Sequence, residues 1–338
     1  MAPLAIGIVL GGSAAPAEFA ERLRQVDRAE ALGLHSVWLP EGHFVPGASA
    51  SPLVVLAAFA ARTQSLRLGT TSLLVSIHHP LRIADEVSAL EALSRGRVWL
   101  GLGRGFRAPL FRGFSIEPTQ KRDRFDEAID AILAAWSGEP VTLEGEHFGT
   151  RGRAVRAALR PVQRPHPPLL VAAFGRKGLA QAARRGLPYL ASPLEPLDLL
   201  AENHAFHRDA LTRPLGPDVA HAPVMRTVHV AADDRAAARV HAALEAESKR
   251  LPRGRLPPAL SRAAAAEVAD RVIVGTRAEV IDRIGSYRER IGMDLLIARS
   301  EVPGADRMAQ DASLEALAEI GREAFVADPP RLRDPTSA

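Results

Sequence analysis

The chain has 338 residues, 43 basic against 39 acidic side chains for a formal net charge of +4, and 47% hydrophobic residues. That length fits two average domains or one large α/β barrel, and the apolar content is ample for a core and too high for a largely disordered chain. With no cysteine, disulfide frameworks, thiolate metal sites, iron–sulfur clusters and cysteine nucleophiles are excluded.

Along the chain a short apolar run followed by an amphipathic segment recurs. Leu4–Leu10 reads as a buried strand, and a helix is predicted from Ala17 to Leu32, with Phe19, Leu23 and Val26 at helical spacing and Gly33 as its stop. Ser36–Leu39 is the second strand and Pro52–Thr63 the second helix. Leu66–Val75, a helix over Leu81–Leu93, and the strand Val98–Leu102 come next. A longer helix over Lys121–Trp136 places Phe125, Ile129, Ile132 and Trp136 on one side.

Glu139–Pro168 breaks the rhythm. Its glycines and prolines, among them Gly145, Gly149, Pro161 and Pro165, predict an irregular excursion. The repeat resumes with strand Leu169–Ala173, helix Gly178–Arg185, and strands Tyr189–Ala191 and Val224–Ala231. Lys249–Pro258 is too rich in Pro and Arg for a regular element and is a candidate lid or a disordered surface loop. Thr276-Arg-Ala-Glu279 is a capping box that opens a helix to about Ile291, and Asp294–Arg299 is the eighth strand. Eight strands alternating with helices predict parallel pairing and a closed (β/α)8 TIM barrel with loop insertions, in which chemistry gathers where strands end. Residues 1–330 are expected to form this one domain, with 331–338 as a tail.

The positive charge is nearly all arginine, scattered and interleaved with acids as in Arg122-Asp123-Arg124. A nucleic-acid binder gathers such charge on one face with aromatics between, so no nucleic-acid partner is expected. The start of the chain lacks a basic stretch leading into an apolar run, and no run approaches ~18 apolar residues, so a soluble, cytoplasmic protein is expected.

The strand ends carry the polar chemistry. The second strand leads into Glu41-Gly42-His43-Phe44, the third into Ser76-Ile-His78-His79-Pro80, and the fourth into Gly103-Arg104-Gly105. The fifth leads into Phe174-Gly175-Arg176-Lys177-Gly178, where glycines, two cations and a helix N-terminus suit an anion, or make an ordinary exposed turn. Arg104 offers the fork geometry that fits phosphate. His43 is a candidate acid/base group or hydrogen-bond donor, or a structural histidine. Glu41 and His43 are too few for a metal, and His78 and His79 are adjacent residues that face opposite ways on a strand, so no metal site is expected.

These stretches resemble the bacterial luciferase-like flavin-dependent oxidoreductases over nearly the whole chain. The resemblance is densest from Leu68 through His78-His79-Pro80 and Ser94–Gly105 to Phe114. It extends to Val37–Phe44, Ala182–Pro188 and Val274–Glu279. It implies a barrel that holds reduced FMN at the C-terminal rim, with Arg104 and Arg122 on its phosphate and the backbone at Gly175 and Gly178 completing that grip. It also implies a cis peptide at Thr71–Ser72 under the flavin ring, Phe174 and Arg176 at the rim, and His43 beside the ring.

Three departures stand out. Gly42 replaces the first of two luciferase histidines, Gly103 replaces a cysteine, and Phe174-Gly175 replaces an acid and a hydroxyl. Aldehyde-dependent light emission is therefore not expected. The resemblance implies a monooxygenase that uses O2 and FMNH2 from a separate flavin reductase to oxidise a small organic substrate, as a homodimer. Two alternatives are a deazaflavin-dependent dehydrogenase or reductase, and a non-catalytic partner subunit.

Overall fold

In a computed structural model, the described residues are 3–11, 16–44, 49–217, 219–250 and 256–325. The 331–338 tail and the Val45-Pro46-Gly47 stretch after His43 lie outside them. So does the centre of the Lys249–Pro258 segment expected as a lid.

Nine strands form one sheet: β1 (Ala5–Val9), β2 (Ser36–Leu39), β3 (Arg67–Leu73), β4 (Val98–Leu102), β5 (Leu169–Ala172), β6 (Tyr189–Leu190), β7 (Pro223–Val230), β8 (Val272–Gly275) and β9 (Leu295–Arg299). Every adjacent pair is parallel, in the order β6-β5-β4-β3-β2-β1-β9-β7-β8. Parallel strands are covered on both faces, which is why they read as continuous apolar runs. The sheet curls until its edge strand β6 lies against β7, but no hydrogen-bonded ladder joins those two.

The sequence predicts eight strands in a closed ring, whereas the structure has a ninth, β8, paired with Thr227–Val230 at the far end of β7. β8 is four residues long and runs straight into the capping box, so its pattern is too short to separate from the helix after it.

The helices are α1 (Pro16–Ala31), α2 (Pro52–Arg62), α3 (Pro80–Ser94), α4 (Ala108–Gly113), α5 (Lys121–Trp136), α6 (Arg176–Arg184), α7 (Leu197–Asp209), α8 (Asp234–Lys249), α9 (Pro258–Ala263), α10 (Arg277–Ile291) and α11 (Arg307–Glu323). Both ends of the Lys249–Pro258 segment are therefore helical, in α8 and α9. The capping box at Thr276 and Glu279 is formed as its residues predict, with the Thr276 N–H donating to Glu279 Oε2 at 2.8 Å. Glu139–Pro168 holds no helix or strand, only an isolated antiparallel bridge between Val141 and Val155.

Two apolar layers arise from the strands' alternation. The outer one packs helix faces such as Val87, Phe125, Ile129 and Ile284 on the sheet. The inner one fills the curl with Trp38, Trp99, Leu170, Leu190, Leu295 and Ile297. Trp38 and Trp99 meet edge to face at 6.3 Å, and the Trp38 indole N–H donates to Ser36 Oγ at 2.7 Å. Gly7 and Gly69 make room for Trp38, since a Cβ on either would collide with its ring. The filled interior closes the sheet from below and leaves the C-terminal ends of the strands as the open face.

Candidate functional site

A cavity of about 370 Å³ opens at that face. Its wall comes from the C-terminal ends of five consecutive strands: Glu41–His43 after β2, Thr71 and Ser72 in β3, Gly103–Arg107 after β4, Ala172–Phe174 at the end of β5, and Leu190–Pro193 at the end of β6. A second cavity of about 530 Å³ adjoins it toward β7, β8 and β9, sharing Thr71, Pro193 and Met225.

The floor is the end of β3. The Thr71–Ser72 peptide is cis, and the ladder to β4 shifts register between Thr71 and Leu73. Thr71 borders both cavities, and its Oγ1 is buried and has no hydrogen-bond partner. A buried hydroxyl left unpaired is costly, and this one belongs to a residue of the cavity floor.

On one side stands Arg104, only 8% exposed. It donates to Gln181 Oε1 at 2.7 Å and to the Ala172 carbonyl at 3.0 Å, and lies 5.2 Å over the Phe125 ring. Gln181 is itself held by Asp126 Oδ2 at 2.6 Å, so α5 and α6 fix the guanidinium. Burial, then the nearby charge of Arg122, pushes Arg104 down to about 10. Lys121 is likewise held low, by burial and then by Arg122 and Arg104. Three cations stand near one another at this corner, with the Asp126 carboxylate offsetting part of their charge at Arg104.

Gly178 has no Cβ because one would sit 2.9 Å from Arg104 Nη2. Gly175, at φ +71°, caps the start of α6. The Gly178 N–H bonds within that first turn to the Gly175 carbonyl at 3.0 Å, so what this glycine offers is space rather than its amide. Phe174 lines the cavity edge-on to Phe106. Arg176 differs from expectation: it is exposed, with its guanidinium 4.3 Å over Phe206 of α7, and forms no part of the cavity wall. Arg122 stands behind Arg104 and acts on the corner through its charge.

On the opposite side, His43 and His78 both meet Glu41. Each Nε2 lies 2.6 Å from the same carboxylate oxygen, Oε1, while Oε2 accepts the Leu74 N–H at 2.6 Å. Burial raises the Glu41 carboxyl, but the hydrogen bond and charge of His78, the Leu74 N–H and His43 outweigh it and hold it below its ordinary value. His79, one residue along, packs instead against Phe148 and makes no side-chain cap to α3.

Glu41, His43 and His78 bring three ligand-type atoms within 4.8 Å of one another. The sequence finds only Glu41 and His43 of this set; His78 is brought in by the turn after β3, 37 positions from Glu41. The described residues thus gather His43, Thr71, Ser72, Arg104 and Phe174 on one cavity, with Arg122, Gly175 and Gly178 behind it. Among them, no helix is long and apolar enough to cross a membrane.

A family model described as luciferase-like monooxygenase matches residues 5–294. An uncharacterized protein of Sinorhizobium fredii, y4wF, is 38% identical over 177 residues, 52% of this chain and 51% of that one. The chain spans about half the length of the first curated relatives it matches. The 4-hydroxyprotoasukamycin monooxygenase of Streptomyces nodosus is 30% identical, over 87% of this chain and 84% of its own. The F420-dependent glucose-6-phosphate dehydrogenase of Kineococcus radiotolerans is 35% identical over 52% of this chain and 53% of its own.

Among solved structures, monooxygenase RslO1 from Streptomyces bottropensis aligns with a TM-score of 0.76 at 28% identity, covering 94% of this chain and 98% of that one. The oxygenating constituent of 3,6-diketocamphane monooxygenase from Pseudomonas putida, in complex with FMN, aligns at 0.80 over 97% and 100%, at 19% identity, a likeness of fold.

Proposed function

This chain belongs to the luciferase-like monooxygenase family, and from that premise we propose that it is a monooxygenase that uses reduced FMN and O2 to oxidise a small organic substrate. We read residues 1–330 as one such domain, acting in the cytoplasm as a homodimer supplied with FMNH2 by a separate flavin reductase.

The observation that carries the flavin reading is the pairing of two features across one cavity. Thr71 Oγ1 is a buried hydroxyl without a partner on the floor, and Arg104, Lys121 and Arg122 form a cationic corner beside the first turn of α6. A phosphate suits the corner, where Arg104 has two of its five donors already bound and the rest to offer. The α6 N-terminus, opened by Gly175, adds its dipole. A ring carrying polar edge atoms suits the floor beside Thr71 and Ser72. When bound, reduced flavin would supply the electrons that activate O2.

The protein's own part is positioning, shelter and a proton. Arg104 and Arg122 would anchor the phosphate end. Phe174, Leu74, Leu110 and Leu190 line an apolar wall that limits water around the reacting centre. His43, at the cavity edge with its Nε2 bound to Glu41, would donate or accept the proton that accompanies oxygen transfer. The adjoining cavity, bounded by Leu10, Leu194, Met225 and Leu244, has room for the organic substrate.

A second reading is a deazaflavin-dependent oxidoreductase, favoured by the 35% identity to an F420-dependent dehydrogenase. Anaerobic titration of the purified chain with FMNH2 and with reduced F420 separates the two. The FMN reading expects tighter binding of FMNH2, and Arg104→Ala weakening FMN by roughly 10- to 100-fold while riboflavin, lacking the phosphate, is nearly unaffected. Preferential binding of F420 decides for the second reading. An equal loss for FMN and riboflavin removes Arg104 from the phosphate site.

A further inference from the structure

At the edge of the cavity stands a polar cluster that cofactor binding does not explain. His78 does not line the cavity, yet its Nε2 meets the same Glu41 oxygen as the Nε2 of His43, at 2.6 Å each. The Glu41 side chain is fully buried, that of His43 11% exposed and that of His78 25% exposed. Because the Leu74 N–H occupies Oε2, the carboxylate cannot turn to serve the two rings one at a time. A carboxylate oxygen only accepts, so both imidazoles must carry hydrogen on Nε2. The neutral His43 ring then has its lone pair on Nδ1.

We propose that His78 is a positioning residue for His43: through the shared Glu41 oxygen it keeps the carboxylate ionised and thereby locks His43 in the Nε2–H tautomer, leaving Nδ1 as its working nitrogen. The acid/base use of that nitrogen rests on the monooxygenase reading above; the tautomer control does not.

Three observations support the assignment. His78 is the strongest of the influences that hold the buried Glu41 carboxyl low, ahead of the Leu74 amide and His43. The two rings are also set by a common neighbour, Phe114, which meets His43 edge-on at 4.9 Å and His78 at 6.3 Å. The spacing, finally, is that of hydrogen bonds: donors around a tetrahedral ion at ~2.0–2.1 Å would stand roughly 3.3 Å apart.

The remaining charges nearby are Arg104 and Arg107 on the cavity wall, Arg124, whose Nε donates to the Ser76 carbonyl at 2.7 Å, Lys121, whose carbonyl accepts Ser76 Oγ, and His79 on the adjoining position.

The test is NMR of the full flavin-free chain with labelled histidine and glutamate, comparing wild type, His78→Ala, His78→Gln and Glu41→Gln. In wild type the His43 ring nitrogens should report the Nε2–H tautomer. His78→Ala should raise the Glu41 carboxyl titration by about one unit or more, and His43 should lose its tautomer preference in that same pH range. His78→Gln, which can restore a donor without the charge, should recover part of the shift. Glu41→Gln should release the His43 tautomer at every pH.

A Glu41 titration unmoved in folded His78→Ala and His78→Gln overturns the proposal. So does a His43 tautomer indifferent to Glu41→Gln, which remains decisive should the His78 variants fail to fold. Cobalt(II) added to wild type, giving visible absorption that is lost in the His78 variants, would overturn it in favour of a metal site. These readouts need no flavin, so they stand or fall separately from FMNH2 titration.

Discussion

At Gly103, immediately before Arg104, the site has no room for a side chain, because a Cβ would run into Ser72 Oγ. The luciferase resemblance places a cysteine there. Here Ser72, at the end of β3, fills the space that a side chain at 103 would need, and the Gly103 N–H donates to the Leu73 carbonyl at 2.8 Å. Ser72 and Gly103 are thus one packing choice read at two positions. Gly103→Ala should therefore cost about 1–3 kcal/mol, as overpacking of a filled site does. It should also disturb the cavity floor beyond its effect on global stability. Denaturant unfolding and flavin titration of the same variant check both; a variant as stable as wild type would mean that Ser72 can turn away freely.

Among the elements, the seam between β6 and β7 is the weak place in the sheet, since no ladder crosses it. Side chains cross it instead. Arg226 on β7, with no exposed surface, donates to the Glu195 carbonyl at 2.6 Å and the Ser192 carbonyl at 3.3 Å in the loop after β6, and to Tyr287 Oη of α10 at 2.8 Å. The Glu195 carboxylate takes the Tyr189 hydroxyl, Asn203 and the Ser192 N–H, tying the same loop to β6 and α7. One arginine thus supplies, from a side chain, the donors that a ladder would supply from the backbone. Arg226→Met keeps the apolar bulk but leaves those buried acceptors without a donor, and should destabilise by about 3–5 kcal/mol. Hydrogen exchange should show lost protection in β6 and the Ser192–Glu195 turn before the rest of the sheet. Uniform protection in the variant would mean that the seam is held by packing alone.

For the whole molecule, acid sensitivity comes from histidines buried without charge. Burial, then the charge of Arg67, pushes His35 down to about 4, and burial with His207, Arg208 and Arg226 pushes His204 down to about 3. Above those values each is neutral when folded, and it takes up a proton on unfolding between its lowered value and its ordinary 6.5. Their stabilisation is therefore complete above about pH 6.5 and is lost as the pH falls toward 4 and 3, by at most roughly 3 kcal/mol for His35 and roughly 5 kcal/mol for His204. The Glu30, Glu41 and Glu301 carboxyls, all held low by their partners, add losses of the same sign at lower pH. Urea unfolding should give a free energy that declines steadily from pH 7 to pH 4.5, with net proton uptake on unfolding. A flat profile over that interval would mean that these histidines reach solvent in the native state.

The local patterns of the chain were enough for much of this. Period and punctuation placed eight strands and the long helix Lys121–Trp136, and the capping box at Thr276 formed as its residues dictate, because each depends on neighbours a few positions away. The family resemblance pointed to Arg104, Thr71, Ser72 and His43, which do share a cavity. What lay beyond the sequence was every relation that joins distant segments. β8 is a strand only because β7 runs on past β9 to meet it. Arg176, beside Gly175 in sequence, is turned away onto Phe206. His78, which looked like half of an adjacent pair, belongs with Glu41 and His43. Propensity and period act through contacts a few residues away and are written in order along the chain. The partners of a buried carboxylate or an unladdered strand edge are chosen by which segments the fold brings within 3 Å, and that is decided only when the sheet has curled.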